Sequence, residues 1–208
     1  MNLEKHFAWY PELRLGHFPQ VRAKVKRDYF AEYQVLATTE MGKAITMNRV
    51  ALVQCTLEDP EAPVLDVGIG CGAFLEAYGW AGGFDVDPKA IAWLVRNGAY
   101  VDLYNEDVGR YKALTLWDSL EHIEDPGAIF DRPDAPEFVF ISTPIYTSME
   151  DVLESKHFKP NEHCWYFTSE GLCEMLAEYG YGLLEHNSDE SDLGREAIET
   201  FVFRKEGT

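Results

Sequence analysis

Val64-Leu65-Asp66-Val67-Gly68-Ile69-Gly70-Cys71-Gly72 decides the fold. Val64–Val67 predicts a short buried strand, because apolar residues surround a single acid directly after Pro63. Three glycines at alternate positions follow, and Ala73–Trp80 predicts a helix. Only residues without a side chain let a backbone turn this sharply while a ligand approaches it closely. One strand-and-helix interval later, Gly83-Phe84-Asp85-Val86 predicts a second strand whose acid can accept both hydroxyls of a ribose.

The pattern extends in both directions. Pro88 suits the first turn of a helix running to about Asn97, with Gly98 as its stop. Ala99–Tyr104, Ala113–Trp117 and Phe138–Ile141 predict three further strands. Thr168 can cap a helix that buries Leu172, Met175, Leu176 and Tyr179, with Gly180 just past its end. Two last strands, near Gly182–Glu185 and Glu199–Arg204, suit an antiparallel pair. Upstream, Met41, Ala44, Ile45, Leu52 and Cys55 share one helical face, and Pro60 and Pro63 end that helix. Strands alternating with helices imply a mostly parallel sheet covered on both faces.

The chain has 208 residues and a formal net charge of −18. That charge opposes non-specific binding to nucleic acid or an anionic membrane. Residues 1–50 carry 8 Lys/Arg against 5 Asp/Glu, so an acidic body follows a mildly basic front. Cys55, Cys71, Cys164 and Cys173 form no C-x-x-C pair and are expected as reduced thiols. No apolar run reaches the length of a membrane span, and the first residues lack the apolar core of a signal peptide. Cytoplasm is the expected location.

The spacing of the turn separates two ligand classes. A dinucleotide pyrophosphate favours G-x-G-x-x-G at a helix N-terminus. The chain instead has D-x-G-x-G-x-G, with Asp66 inside the turn. A carboxylate there repels a pyrophosphate and suits a cationic amino-acid tail, which favours an adenosyl sulfonium cofactor over NAD. The spacing thus opposes an NAD-dependent oxidoreductase. A tight turn in which Asp66 merely caps the helix accounts for the same residues without any ligand.

Val64–Gly72, Gly83–Pro88, Leu116–Pro126 and Phe140–Pro144 together resemble the successive motifs of class I S-adenosylmethionine-dependent methyltransferases. The subgroup they resemble most includes ubiquinone-biosynthesis O-methyltransferases. Thr115-Leu116-Trp117-Asp118-Ser119-Leu120-Glu121-His122-Ile123-Glu124-Asp125-Pro126 is the most specific piece. The resemblance covers about residues 60–208. It implies a Rossmann-like α/β fold with a seven-stranded, mostly parallel sheet and an antiparallel C-terminal strand; an N-terminal helical extension is expected ahead of it, outside the resemblance. Residues 1–40 would form the extension, as a lid on the active site, and 41–208 the methyltransferase domain. Asp66, Gly68, Gly70 and Gly72 would line the methionine end and ribose, and Asp85 the ribose hydroxyls. Trp117 and Asp118 would sit beside the cofactor. Asp107 is the candidate for the adenine, with Asn105 and Glu106 as competitors.

Methyl transfer from a sulfonium is an in-line displacement, so positioning the acceptor supplies much of the rate. A hydroxyl acceptor also loses a proton, to a base or through a metal that lowers its pKa. His163 and His122 are the candidate bases. Asp118, Glu121, His122 and His163 form a candidate set for a divalent ion, since Asp-x-x-Glu-His would place the two acids on one helical face. A purely structural His163–Glu121 bond is the competing explanation. His6, His17, His157 and His186 belong to no constellation. Trp117-Asp118-Ser119-Leu120 lacks the Asn/Asp-Pro-Pro-aromatic motif of base amino methylation, and no Pro-Cys dipeptide supports cytosine-C5 chemistry. Arg22, Lys24, Lys26 and Arg27 are expected as a solvated face, while Phe7, Trp9 and Tyr10 are either a lid or packing. The expected acceptor is therefore a small molecule or a modified sugar or nucleotide, handled by a monomer or a homodimer. A non-catalytic cofactor-binding partner or sensor is the rival from another class.

Overall fold

The computed structural model describes residues 7–19 and 27–207. Two short strands, β1 (Ala8–Tyr10) and β2 (Leu15–His17), precede helices α1 (Tyr29–Thr38) and α2 (Glu40–Leu57). Then come β3 (Val64–Val67), α3 (Ala73–Tyr78), β4 (Ala81–Phe84), α4 (Pro88–Arg96) and β5 (Ala113–Trp117). After a single 3-10 turn at Leu120–His122 follow α5 (Gly127–Phe130), β6 (Phe138–Pro144), α6 (Met149–Glu154) and β7 (Trp165–Phe167). The chain closes with α7 (Ser169–Glu178), β8 (Tyr181–Asn187), α8 (Asp189–Asp192) and β9 (Ile198–Lys205).

The central sheet has the order β4-β3-β5-β6-β9-β8. β3, β4, β5 and β6 pair in parallel, and β9 is antiparallel to both neighbours, as the C-terminal pattern predicts. Among the described residues, six strands stand in this sheet where seven were expected. Ala99–Tyr104 contributes only a Gly83–Tyr100 bridge, with the Gly83 amide on the Ala99 carbonyl and the Val101 amide on the Gly83 carbonyl. Asp102 then turns the chain, accepting from the amides of Tyr104 and Asn105. An Asx-type turn gives the backbone a local alternative to a ladder, so pairing stops there.

Alternation along the strands sorts the two faces. Leu65, Val67, Leu114, Leu116, Val139 and Ile141 face one side, packed with Leu172 and Leu176 of α7. Val64, Ala113, Trp117, Phe138 and Phe140 face the other, against Val50 and Val53 of α2 and Phe74 and Tyr78 of α3. Asp66 and Thr115, two residues along from Val64 and Ala113, are paired in register on this second face.

The N-terminal extension carries a hairpin ahead of α1. β1, β2 and β7 form a separate three-stranded sheet. Phe7 and Trp9 pack with Phe18, Tyr146, Val152, Phe158 and Tyr166 in an aromatic cluster, so packing accounts for them. Arg22, Lys24, Lys26 and His6 lie outside the described residues.

Candidate active site

Parallel strands place their carboxyl ends along one edge, and the strand order reverses beside β3. That crevice is where open α/β sheets take ligands. The glycine turn leaves β3 here with Gly68 at φ +80° and Gly72 at φ +85°. A Cβ on Gly68 would come within 2.1 Å of Ser119 Oγ, and one on Gly72 within 2.7 Å of the Trp93 ring. Both sites therefore exclude side chains by backbone conformation and by space.

Asp66 is buried, and its carboxylate accepts from Thr115 Oγ1 at 2.7 Å across the β3–β5 register. It does not cap α3, whose cap position is Gly72 without a side-chain bond. Burial pushes its pKa up to about 7, against the pull of Thr115 and Arg49. Asp85 lies just beyond β4. It accepts from the Asp87 amide at 2.8 Å, and burial raises its pKa. The amides of Val86 and Gly70 also favour its ionised form, which ties the strand end to the glycine turn.

Beyond β5 the chain departs from the expected helix. Asp118 takes a left-handed φ of +54°, and only Leu120–His122 winds into a 3-10 turn. Asp118 and Glu121 therefore do not share a face. Arg195 grips Asp118 through two nitrogens at 2.8 Å, and Arg49 adds a bond at 3.1 Å. Burial alone would raise the Asp118 pKa, but the two guanidiniums win and hold it well below the carboxylate range. The same arginines hold Glu190, which is fully buried and also accepts from Ser142. Asp118 is thus committed to an ion-pair network and stands apart from the expected metal set. The Trp117 indole is likewise turned into the core, against Phe74 and under the Arg49 guanidinium. Ser119 is the residue that actually touches the glycine turn, its hydroxyl 3.4 Å from the Gly68 carbonyl.

Glu121, His122 and His163 do converge. One ligating atom from each lies within 4.8 Å of the others, and the two imidazoles meet edge to face at 4.6 Å. Glu121 is buried, accepts from Thr143 Oγ1 at the end of β6, and burial raises its pKa. His163 is 3% exposed and its Nδ1 has no partner. Burial first, then neighbouring His122, pushes its pKa down to about 2, so it is neutral. His122 is exposed, with Nδ1 2.8 Å from the Glu162 carbonyl. A carbonyl only accepts, so Nδ1 carries the proton, and of the two neutral tautomers the one that makes this bond leaves the lone pair on Nε2. The backbone fixes the trio, because the Cys164 amide donates to the Glu121 carbonyl at 2.7 Å. Two imidazoles and one carboxylate can take a proton from an acceptor or coordinate a divalent cation.

Asp107 accepts from the Gly109 amide, in a loop that Arg132 ties through the Leu103 and Glu106 carbonyls. His17 packs at a tilt on Trp165, His157 meets the Glu196 carbonyl, and His186 pairs with Glu199. Arg49, Arg195, Ser119, Thr143 and Tyr33 escape sequence reasoning. Tyr33 of α1 lies over the turn, its ring 3.5 Å from where a Gly70 Cβ would be. Its one signal is the aromatic richness of the N-terminal stretch. The arginines carry none, being 69 and 77 residues from Asp118.

A family model described as "Methyltransferase domain" matches residues 33–186. No curated protein matches the chain in sequence. The fold is similar to magnesium protoporphyrin IX methyltransferase from Synechocystis PCC 6803 with bound SAH, at TM-score 0.63 and 13% identity over 85% of this chain and 94% of that one. It is similar to 1,6-didemethyltoxoflavin-N1-methyltransferase from Burkholderia thailandensis, at TM-score 0.55 and 19% identity over 95% and 98%. It is also similar to the small RNA methyltransferase HEN1, at TM-score 0.54 and 19% identity over 78% of this chain and 25% of that one. The sheet order, the glycine turn and the matched model agree, and the chain belongs to the methyltransferase-domain family, with the class I S-adenosylmethionine-dependent fold.

Proposed function

We propose that the chain moves the methyl group of S-adenosylmethionine to a hydroxyl of a small molecule or a modified sugar or nucleotide. The observation that carries this is the Glu121–His122–His163 cluster, which follows the same β5 loop whose Ser119 touches the glycine turn. Asp66 faces the cationic methionine tail, and Asp85 retains lone pairs for the ribose hydroxyls. The acceptor oxygen attacks the methyl carbon as the carbon–sulfur bond breaks, leaving S-adenosylhomocysteine. The hydroxyl proton passes to His122 Nε2, whose tautomer the Glu162 carbonyl sets.

The trio also fits a divalent cation. A buried imidazole nitrogen without a partner among the described residues, an accessible imidazole and a carboxylate together make a three-ligand donor set. Such an ion, when bound, lowers the pKa of a coordinated hydroxyl.

Calorimetric titration with S-adenosylhomocysteine and transfer of labelled methyl groups into hydroxyl and amine acceptor pools test this. Asp85→Ala should abolish cofactor binding in a folded protein. Glu121→Ala with His122→Ala should lower turnover about a hundredfold or more while the cofactor affinity stays within about threefold. Turnover unchanged in that double variant would remove the acceptor assignment.

A further inference from the structure

Helix α1 touches both halves of this site. At its start, Asp28 caps the helix and pairs with Lys89 of α4, the helix that follows Asp85. One turn in, Tyr33 covers Gly70, and its ring stacks on Tyr29 at 6.1 Å. Tyr29 itself points toward the acceptor end, where its hydroxyl donates to Glu162 Oε1 at 2.7 Å. Glu162 is the residue whose backbone carbonyl receives the His122 Nδ1 proton, and it directly precedes His163. A single residue thus joins the strap over the cofactor turn to the imidazole that faces the acceptor.

We propose that Tyr29 is a positioning residue for methyl transfer: through Glu162 it holds His122 in the Nδ1–H tautomer, so that α1, packed over the glycine turn, also readies the acceptor end. This rests on the methyl-transfer reading of the site. The physical step is short. A hydroxyl-to-carboxylate bond restrains the Glu162 side chain, which restrains the Lys159–His163 turn already closed by the Glu162 and His163 amides on the Lys159 carbonyl. With the carbonyl held, only one of the two neutral His122 tautomers makes a hydrogen bond. Cofactor and acceptor sites coupled through one helix must influence each other by equal factors.

The test is a long-range ¹H–¹⁵N spectrum of the histidine rings in the full chain, with and without S-adenosylhomocysteine. Wild type should show His122 as the Nδ1–H tautomer, sharpened or shifted when S-adenosylhomocysteine binds. Tyr29→Phe keeps the ring and its stack on Tyr33, and should move the His122 tautomer ratio about fivefold to tenfold toward Nε2–H. Glu162→Ala should reproduce that change. Glu162→Gln, whose amide oxygen still accepts from Tyr29, should restore most of the wild-type ratio. The affinity for S-adenosylhomocysteine should stay within about threefold in Tyr29→Phe. A His122 spectrum that is the same in Tyr29→Phe and wild type, with S-adenosylhomocysteine bound in both, overturns the proposal alone. Failure of S-adenosylhomocysteine to bind the wild type overturns the site reading and the proposal with it.

Discussion

Replacing Asp66 by Asn should make the unliganded protein more stable at alkaline pH while it weakens cofactor binding. The carboxylate is 1% exposed and has one described side-chain partner, the Thr115 hydroxyl. Burial raises its pKa from 3.8 to about 7. That is about three decades of proton affinity, or about 4 kcal/mol at about 1.4 kcal/mol per tenfold. The folded state binds the proton more tightly than the unfolded chain, so this group's contribution is full below pH 3.8 and is lost as the pH rises to about 7. Asn keeps the shape, cannot ionise, and can donate to Thr115 Oγ1 once that hydroxyl turns. The stability of Asp66→Asn relative to wild type should therefore grow by about 3 kcal/mol between pH 4.5 and pH 8. For a chain of this length that corresponds to a relative rise in Tm of about 6–12 °C. Urea unfolding across that pH range measures it. S-adenosylhomocysteine titrations at pH 8 should show affinity lowered about tenfold or more, because a buried cation loses its anion. A stability difference that is flat with pH would refute the claim that Asp66 is charged at a cost in the empty site.

Gly68→Ala should destabilise the fold by about 1–3 kcal/mol in equilibrium unfolding, since a Cβ would meet Ser119 Oγ at 2.1 Å on a φ of +80°. Adding Ser119→Gly should return the steric part and leave the backbone part. Arg195→Met should cost about 3–5 kcal/mol, because Glu190, fully buried, and Asp118, partly buried, would then share only Arg49 as a cation among the described residues; a loss below about 1 kcal/mol would mean that the quartet does not hold α8 to the β5 loop. His163→Phe should leave stability within about 1 kcal/mol, as the imidazole has no bond to lose at Nδ1, but should remove any calorimetric heat of manganese or zinc binding.

The order of elements was legible because it is written in local pattern. Val64–Gly72 shows a strand passing into a glycine turn, Thr168 shows a helix start, and Gly98 and Gly180 mark stops that the structure keeps at positive φ. Those signals depend on a few neighbouring residues, so they survive without knowledge of the partner elements. Glu121 and His122 were legible as a pair because they are adjacent in sequence just past a strand end, whereas His163 was only a candidate partner and the fold brings it to them. Tertiary structure decided what depends on distant partners. Asp118 looked like a fourth ligand until Arg49 from α2 and Arg195 from the α8–β9 connection took it, because a partly buried carboxylate goes to the strongest cations within reach. Trp117 went to the core since alternation along β5 pointed it at α2 and α3. Ala99–Tyr104 reads as a strand by composition, yet Asp102 ends its pairing after one bridge. Tyr33 over Gly70 and Tyr29 on Glu162 follow only from where α1 packs, 133 residues of separation closing into one hydrogen bond. Sequence therefore set the strands, the turn and the chemical types at the site, since backbone conformation and hydrophobic periodicity act locally. The fold alone set which charges meet, because electrostatic and steric partners are chosen by distance in space.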